Sequence, residues 1–197
     1  MLRQDKLNHF EAAAELLLAG AESSDNLREG LAETPARFAK AWEVYTSGYD
    51  ADVKSVLKVF NDGGSNYNQM VHIAPIPFYS MCEHHLAPIF GHVQLAYIPN
   101  TKSQQIIGLS KAKRLVDIFA RRLQVQERMT VQIADAMQKH VDPTGVGVMV
   151  HARHMCMEAR GVECAGVSTT TSALRGVIMR EPETRAEFLA LCNKTAI

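Results

Sequence analysis

Four consecutive positions, Cys82, Glu83, His84 and His85, put a thiol, a carboxylate and two imidazoles into the segment FYSMCEHHLAPIFG. Neighbours on a strand point to opposite faces, so a buried strand with this run would leave at least two polar groups in need of partners. Two readings stand: an exposed polar loop, or a metal site with a proton-transfer group beside it. Zinc prefers thiolate and imidazole, and a catalytic zinc keeps three protein ligands and an exchangeable water. Cys82 and His85 are three positions apart, a spacing that lets one turn present both side chains to one ion. The third ligand must come from elsewhere, and the only comparably dense stretch is HARHMCMEARG, with His151, His154 and Cys156. His154 and Cys156 are two apart on an expected strand and so share a face. If that strand lies near the CEHH turn, Cys156 completes a set of two cysteines and one histidine. His84 and His154 are then left beside the metal, free to move protons near neutral pH. His72, His92 and His151 are single histidines in strand-like contexts and read as structural residues with satisfied polar atoms.

A second constellation is basic. In IIGLSKAKR, Ser110 is placed to cap a helix while Lys111 and Arg114 stand three apart on one face. Helix-start N–H groups with cations beside them make a phosphate site. Spacing alone suits a solvated charged face equally well. Arg160, four residues after Cys156, and Arg37 and Lys40 on an early helix could add charge. Glu127, in QVQERMT, is a carboxylate able to accept two N–H groups from a guanine-like edge, and it also suits an ordinary first helical turn. The chain contains no GxxxxGK[ST] phosphate loop.

These residues need a frame. Leu7, Phe10, Ala14, Leu17 and Leu18 give a helical stripe over residues 5–20. ETPARFAKAWEVYTSGY opens a second helix, with Thr34 as N-cap, Pro35 in the first turn, and Phe38, Trp42 and Tyr45 toward the core. NDGGSN (61–66) signals a turn, QMVHIAPIPF (69–78) a strand closed by prolines, and HVQLAYIP (92–99) a half-buried strand. Two helices follow, broken near Gln124–Gln126. Leu115, Ile118, Phe119 and Leu123 form one stripe, and Met129, Ile133 and Met137 the other. Strands over Gly145–His151 and Val167–Ser172 precede a short terminal helix headed by Pro182. Two hairpins flanking a helix pair predict an α+β arrangement, an antiparallel sheet with helices on one face. Its open edges favour pairing between subunits.

Composition bounds the rest. The 197 residues suit one domain with an appended helical arm, here residues 1–60 as the arm and 61–197 as the catalytic domain. Lys plus Arg equals Asp plus Glu, 21 each, so no global field draws the chain to nucleic acid or membrane, and any anion site must be local. The start lacks the plan of a secretory signal and AAAELLLAGA is too short to span a bilayer, so a cytoplasmic protein is expected. The four cysteines show no CxxC pair, which speaks against a closed zinc knuckle.

Six segments in order, SMCEHHLAP, AYIPN, IIGLSKAKR, FARRLQVQERMTVQIA, HMCMEARGV and STTTSALRG, resemble GTP cyclohydrolase I, the zinc enzymes that start pterin synthesis from GTP. The resemblance implies the tunnelling fold, in which antiparallel sheets of several subunits join into a barrel. It also implies a homodecamer with active sites between subunits. Carried over by position, Cys82, His85 and Cys156 would bind one Zn2+ per subunit, with His84 and His154 as acid–base residues assisted by Ser110. Ser110, Lys111, Arg114 and Arg160 would hold the triphosphate, joined by Arg37 and Lys40 from a neighbouring subunit. Glu127, helped by Gln126, would grip the guanine N1 and 2-amino edge. The implied chemistry is addition of water at guanine C8, ring opening, release of formate, and rearrangement of the ribose to 7,8-dihydroneopterin triphosphate. The triphosphate stays intact, which accounts for the missing phosphate loop.

Rival readings fit less well. Zinc nucleoside deaminases need a PCxxC that is missing here. The nitrile reductase of the queuosine pathway uses a nucleophilic cysteine without zinc, against which the paired CEHH and HMC argue. A zinc-stabilised interaction module would want a fourth ligand. An inactive or regulatory zinc-binding paralogue would be expected to lose ligands, and none is missing.

Overall fold

The computed structural model describes residues 2–23, 28–60 and 67–194. The turn expected over 61–66 lies outside them. The chain divides into two compact units, Met1–Ser47 and Gly48–Ile197. In the first, α1 (Arg3–Glu22) and α2 (Thr34–Tyr45) pack as a helix pair around Trp42. The Trp42 ring centroid lies 5.9 Å from Phe10, 5.5 Å from Phe38 and 6.3 Å from Tyr45. Ala14 is buried, whereas Leu17 and Tyr45 remain exposed, so only part of each expected stripe is covered. Thr34 is the first helical residue and not the cap. Glu33 takes the cap position without a side-chain bond, and Pro35 sits in the first turn, where a missing N–H costs nothing.

The second unit begins with α3 (Val53–Val56), whose N-cap Asp52 accepts from the backbone N–H groups of Lys54 and Ser55. Then come β1 (Val59–Phe60), β2 (Val71–Cys82), β3 (Pro88–Ile98), β4 (Ile106–Ile107), α4 (Leu109–Ala120), β5 (Leu123–Gln124) and α5 (Gln126–Val141). The chain ends with β6 (Gly145–His154), α6 (Met155–Glu158), β7 (Ser168–Arg175), α7 (Gly176–Arg180) and α8 (Pro182–Lys194). The main sheet has the order β5-β2-β3-β6-β7, while β1 and β4 pair separately. All neighbours in the main sheet are antiparallel except β5, which runs parallel to β2. This is the α+β arrangement that the two hairpins and the helix pair imply.

β2 does not stop at its prolines. Its register against β3 shifts between Ile73 and Ile76, and Pro75 falls in that irregularity, where a residue without an N–H removes no ladder bond. Leu123 belongs to β5 and not to the α4 stripe, because α4 ends at Ala120 and the next residues pair with Met81 and Cys82 at the sheet edge. On one face of the sheet, Leu115 and Val116 of α4 and Ile133 and Met137 of α5 pack against Phe78, Val93, Leu95, Val148 and Val150. Truncating any of these fully buried side chains would cost about 2–5 kcal/mol. Gly91 is required where β3 meets β6, since a Cβ there would stand 1.9 Å from the His151 carbonyl oxygen.

The opposite face is covered at one end only. Phe188 and Cys192 of α8 pack with Met70, Ala96 and Ile178, and Gln94 Nε2 donates to the Cys192 carbonyl at 3.3 Å. His72 of β2 lies under the same helix, its Nε2 4.0 Å from Cys192 Sγ. Burial lowers the His72 pKa, partly offset by its hydrogen bond with Gln94. The folded chain therefore binds fewer protons than the unfolded chain, whose histidines titrate near about 6.5, and stability is lost as pH falls through that range. The urea midpoint is expected to drop between about pH 7.5 and about pH 5.5, and His72→Gln is expected to make that drop shallower. An identical pH dependence in the variant would remove His72 from the account.

Candidate metal and active site

β2 and β3 are joined by the tight turn that holds the CEHH run. The Cys82 N–H donates to the Ala87 carbonyl at 2.8 Å, and the Leu86 N–H donates to the Cys82 carbonyl at 2.9 Å. Leu86 takes the left-handed region, φ 52°, to close it. The Glu83 N–H donates to the Gln124 carbonyl at 3.1 Å, so β5 holds the turn from the side. The Glu83 carboxylate forms a two-pronged pair with Arg128 of α5 at 2.6 and 2.7 Å. That guanidinium holds Glu83 below the usual carboxylate range, and His84 Nε2 lies 3.7 Å from its Oε1.

Across the sheet, Ile89 near the start of β3 pairs with His154 at the end of β6. The turn and α6 therefore leave the sheet side by side. Cys156 sits in α6 and not on the strand, because β6 ends at His154; the shared-face expectation for His154 and Cys156 gives way to a helical turn that swings Cys156 toward Cys82. The ligand atoms of Cys82, His85 and Cys156 all lie within 4.8 Å of one another. Cys82 Sγ and His85 Nδ1 are 3.6 Å apart, and two such atoms on one tetrahedral zinc stand about 3.5–3.8 Å apart. Burial first, and then the neighbouring Cys82, push the Cys156 thiol pKa up. A donor set of two thiols and one imidazole fits a soft divalent metal.

His154 faces the helix side of the sheet. Its Nε2 lies 2.8 Å from Gln126 Oε1. The Gln126 amide nitrogen donates to the carbonyls of Val150 at 3.1 Å and Thr169 at 3.0 Å. Carbonyls only accept, so the amide orientation is settled and Oε1 is the acceptor for His154. His154 therefore carries its proton on Nε2, and Nδ1 is the nitrogen left for exchange. Thr130 and Thr171 complete the network, with hydroxyl oxygens 2.7 Å apart. Burial lowers the His154 pKa, against an opposing effect of Glu127.

A model of the family described as GTP cyclohydrolase I matches residues 10–193. The chain belongs to the GTP cyclohydrolase I family. It is 54% identical over 167 residues to GTP cyclohydrolase 1 of Janthinobacterium sp. (strain Marseille), covering 85% of this chain and 83% of the relative. Against GTP cyclohydrolase 1 of Campylobacter jejuni, strain 81116, identity is 54% over 168 residues, 84% of this chain and 85% of that one. Against that of Nitrosospira multiformis it is 50% over 169 residues, 86% and 87%. Among solved structures, the archaeosine synthase QueF-Like in its apo form aligns with a TM-score of 0.42 at 20% identity, over 54% of this chain and 93% of that one.

The structure places the other positions singled out in the sequence as follows. Glu127 is exposed in the first turn of α5, next to the buried Gln126. Arg160 donates from Nη1 to the Cys156 carbonyl at 3.2 Å, immediately behind the ligand turn. Ser110, Lys111 and Arg114 occupy the first turns of α4. Ser110 is inside the helix and does not cap it, because Gly108 holds the cap position. No hydrogen bond or ion pair joins these three to the cysteine–histidine group among the described residues. Arg37 and Lys40 are exposed on α2 of the first unit, where Arg37 pairs with Glu33.

Two features have no local signal in the sequence: the Glu83–Arg128 latch, and the inward turn of Gln126. Glu83 and Arg128 are 45 residues apart and share no local pattern. Gln126 is 2% exposed, and QVQE looks like an ordinary polar helix start. Replacing Gln126 by Leu would leave His154 and two strand carbonyls short of partners, an expected loss of about 3 kcal/mol in denaturant unfolding. Unchanged stability would show that the network contributes nothing.

Proposed function

We propose that this chain catalyses the GTP cyclohydrolase I reaction: hydrolytic opening of the guanine imidazole ring of GTP, release of formate, and rearrangement to 7,8-dihydroneopterin triphosphate. The observation that carries this reading is the convergence of Cys82, His85 and Cys156 beside an orientated His154. Those three residues would hold one Zn2+ per subunit. Bound there, zinc would supply a water acidified toward neutral pH.

The chain's own residues then divide the remaining work. Guanine C8 is a poor electrophile until N7 is protonated; His154 takes up a second proton at Nδ1 from solvent and passes it to N7, returning to the neutral ring, while Gln126 fixes the ring through Nε2. Glu127 accepts from the guanine N1 and 2-amino groups, and Gln126 helps from beneath by anchoring the start of α5 to β6 and β7. His84 and Ser110, both exposed, shuttle protons in the ribose rearrangement. Ser110, Lys111, Arg114 and Arg160 anchor the triphosphate through charge-assisted hydrogen bonds, and no phosphoryl transfer is required of them.

The site is completed by assembly. We place it at subunit interfaces of a homodecamer, with Arg37 and Lys40 reaching in from a neighbouring copy. The outer edge of β7 has no strand partner among the described residues, which supports sheet continuation between subunits. The proposed division of labour gives residues 61–197 the catalytic domain and residues 1–60 the arm, whose last part, 48–60, belongs to the same compact unit as the catalytic domain, with β1 paired to β4. No described helix is long and apolar enough to cross a membrane, and we propose a cytoplasmic enzyme with no nucleic-acid partner.

Incubation with GTP followed by oxidation is expected to give neopterin fluorescence, abolished by exhaustive chelation and restored by zinc. Full activity in a metal-free sample would refute the metal role. His154→Ala is expected to keep the metal and to lower formate release by about 10²–10⁴-fold; release at the wild-type rate would exclude it as the acid. Arg160→Ala is expected to weaken GTP binding by roughly tenfold to a hundredfold and guanosine binding far less. Equal losses for both ligands would count against a triphosphate contact.

A further inference from the structure

The sheet face turned away from α4 and α5 carries chemistry that ring opening does not use. Side chains alternate along a strand, so the buried Val93 and Leu95 put Phe90, His92 and Gln94 on the opposite face, as Val148 and Val150 do for Met149, His151 and Arg153. α8 covers only the end of this face near Ala96 and Gly147, where Phe188 lies against the glycine. Beyond it is a cavity of about 280 Å³ lined by His92, His151, Phe90, Arg153 and Ser168.

His92 and His151 are direct register partners on β3 and β6. Their ring centroids are 5.2 Å apart and their planes are inclined by 34°. The expectation that both are satisfied structural histidines holds for one of them. His151 Nδ1 is 2.8 Å from Thr170 Oγ1, which fixes that ring and leaves Nε2 as its second ligand atom. His92 Nε2 is buried and has no hydrogen-bond partner. Burial first, and then the neighbouring His92, hold His151 below the ordinary histidine range, so its ring is neutral at neutral pH, the state that binds metals. The nearby Arg153 is already engaged: Nε donates to Glu158 Oε1 at 2.8 Å, and the guanidinium lies over the Phe90 ring at 5.4 Å. Its charge is matched, so the cavity offers little to an anion.

We propose that His92 and His151 form a second metal site, a two-imidazole clamp across β3 and β6 for a divalent late first-row transition ion. Two imidazoles with no thiolate or carboxylate favour nickel, copper or zinc over magnesium or calcium. Thr170 is the outer partner that orients His151, a role that neighbours of ligating histidines commonly fill. The ion ties together two strands on the part of the sheet that α8 leaves uncovered.

The test uses zinc-loaded protein with Ni2+ as the probe, in equilibrium dialysis with metal analysis. Wild-type protein is expected to take up one Ni2+ per chain in addition to its zinc and to unfold at higher temperature when it does. His92→Gln and His151→Gln are each expected to lose that uptake and that thermal shift while keeping their zinc and their circular dichroism spectrum. Thr170→Val is expected to weaken Ni2+ binding by about tenfold. Absence of nickel beyond the zinc, displacement of zinc by nickel, or uptake undiminished in both glutamine variants would each overturn the proposal. Should His92→Gln fail to fold, His151→Gln decides.

Discussion

Ten successive residue pairs, from Ile89 with His154 to Ile98 with Gly145, join β3 to β6, and the geometry of the site follows from them. The chain enters β3 from the turn that carries Cys82 and His85, and it leaves β6 into the turn that carries Cys156. Both turns lie at the same end of the same strand pair, so candidate ligands far apart in sequence become neighbours. Register holds because one face is buried: a slip of one residue would send Val93, Leu95, Val148 and Val150 outward. The same slip would turn His154 away from Gln126. The accuracy of the polar centre thus rests on apolar side chains that take no part in its chemistry.

Around that frame, three groups are biased toward one protonation state by their neighbours. The Gln126 amide gives its hydrogens to strand carbonyls and must therefore accept from His154, which fixes where that imidazole carries its proton. Glu83 is held ionised by Arg128. The Cys156 thiol is pushed the other way by burial and by Cys82. A metal bound at such a thiol would have to displace its proton.

Much of this was legible in the chain because its strongest signals are local. CEHH and HMC stand out as dense clusters of ligand-type residues, and the helix pair follows from apolar spacing that needs no partner to be seen. The misses share a physical cause. β5 is two residues long, too short to show a period, and exists because the exposed edge of β2 at Met81 and Cys82 accepts it. α6 begins where β6 loses its partner, a boundary set by pairing with Ile89 and not by the residues HMC themselves. Thr34 and Ser110 look like caps by type, yet each falls just inside its helix. His92 looked like its neighbour His151, and only the fold separates a ring with a threonine partner from one without.

The turn that presents Cys82 and His85 is closed by its own backbone bonds, flanked by β5 and latched to α5 through Glu83 and Arg128. None of these contacts uses the donor atoms of Cys82, His85 or Cys156. Small zinc domains unfold when stripped, because their metal supplies most of their folding free energy. Here the turn is held by the surrounding sheet and helices, so its shape does not depend on the three candidate donor atoms. The proposed metal site and the fold that carries it therefore rest on separate sets of contacts.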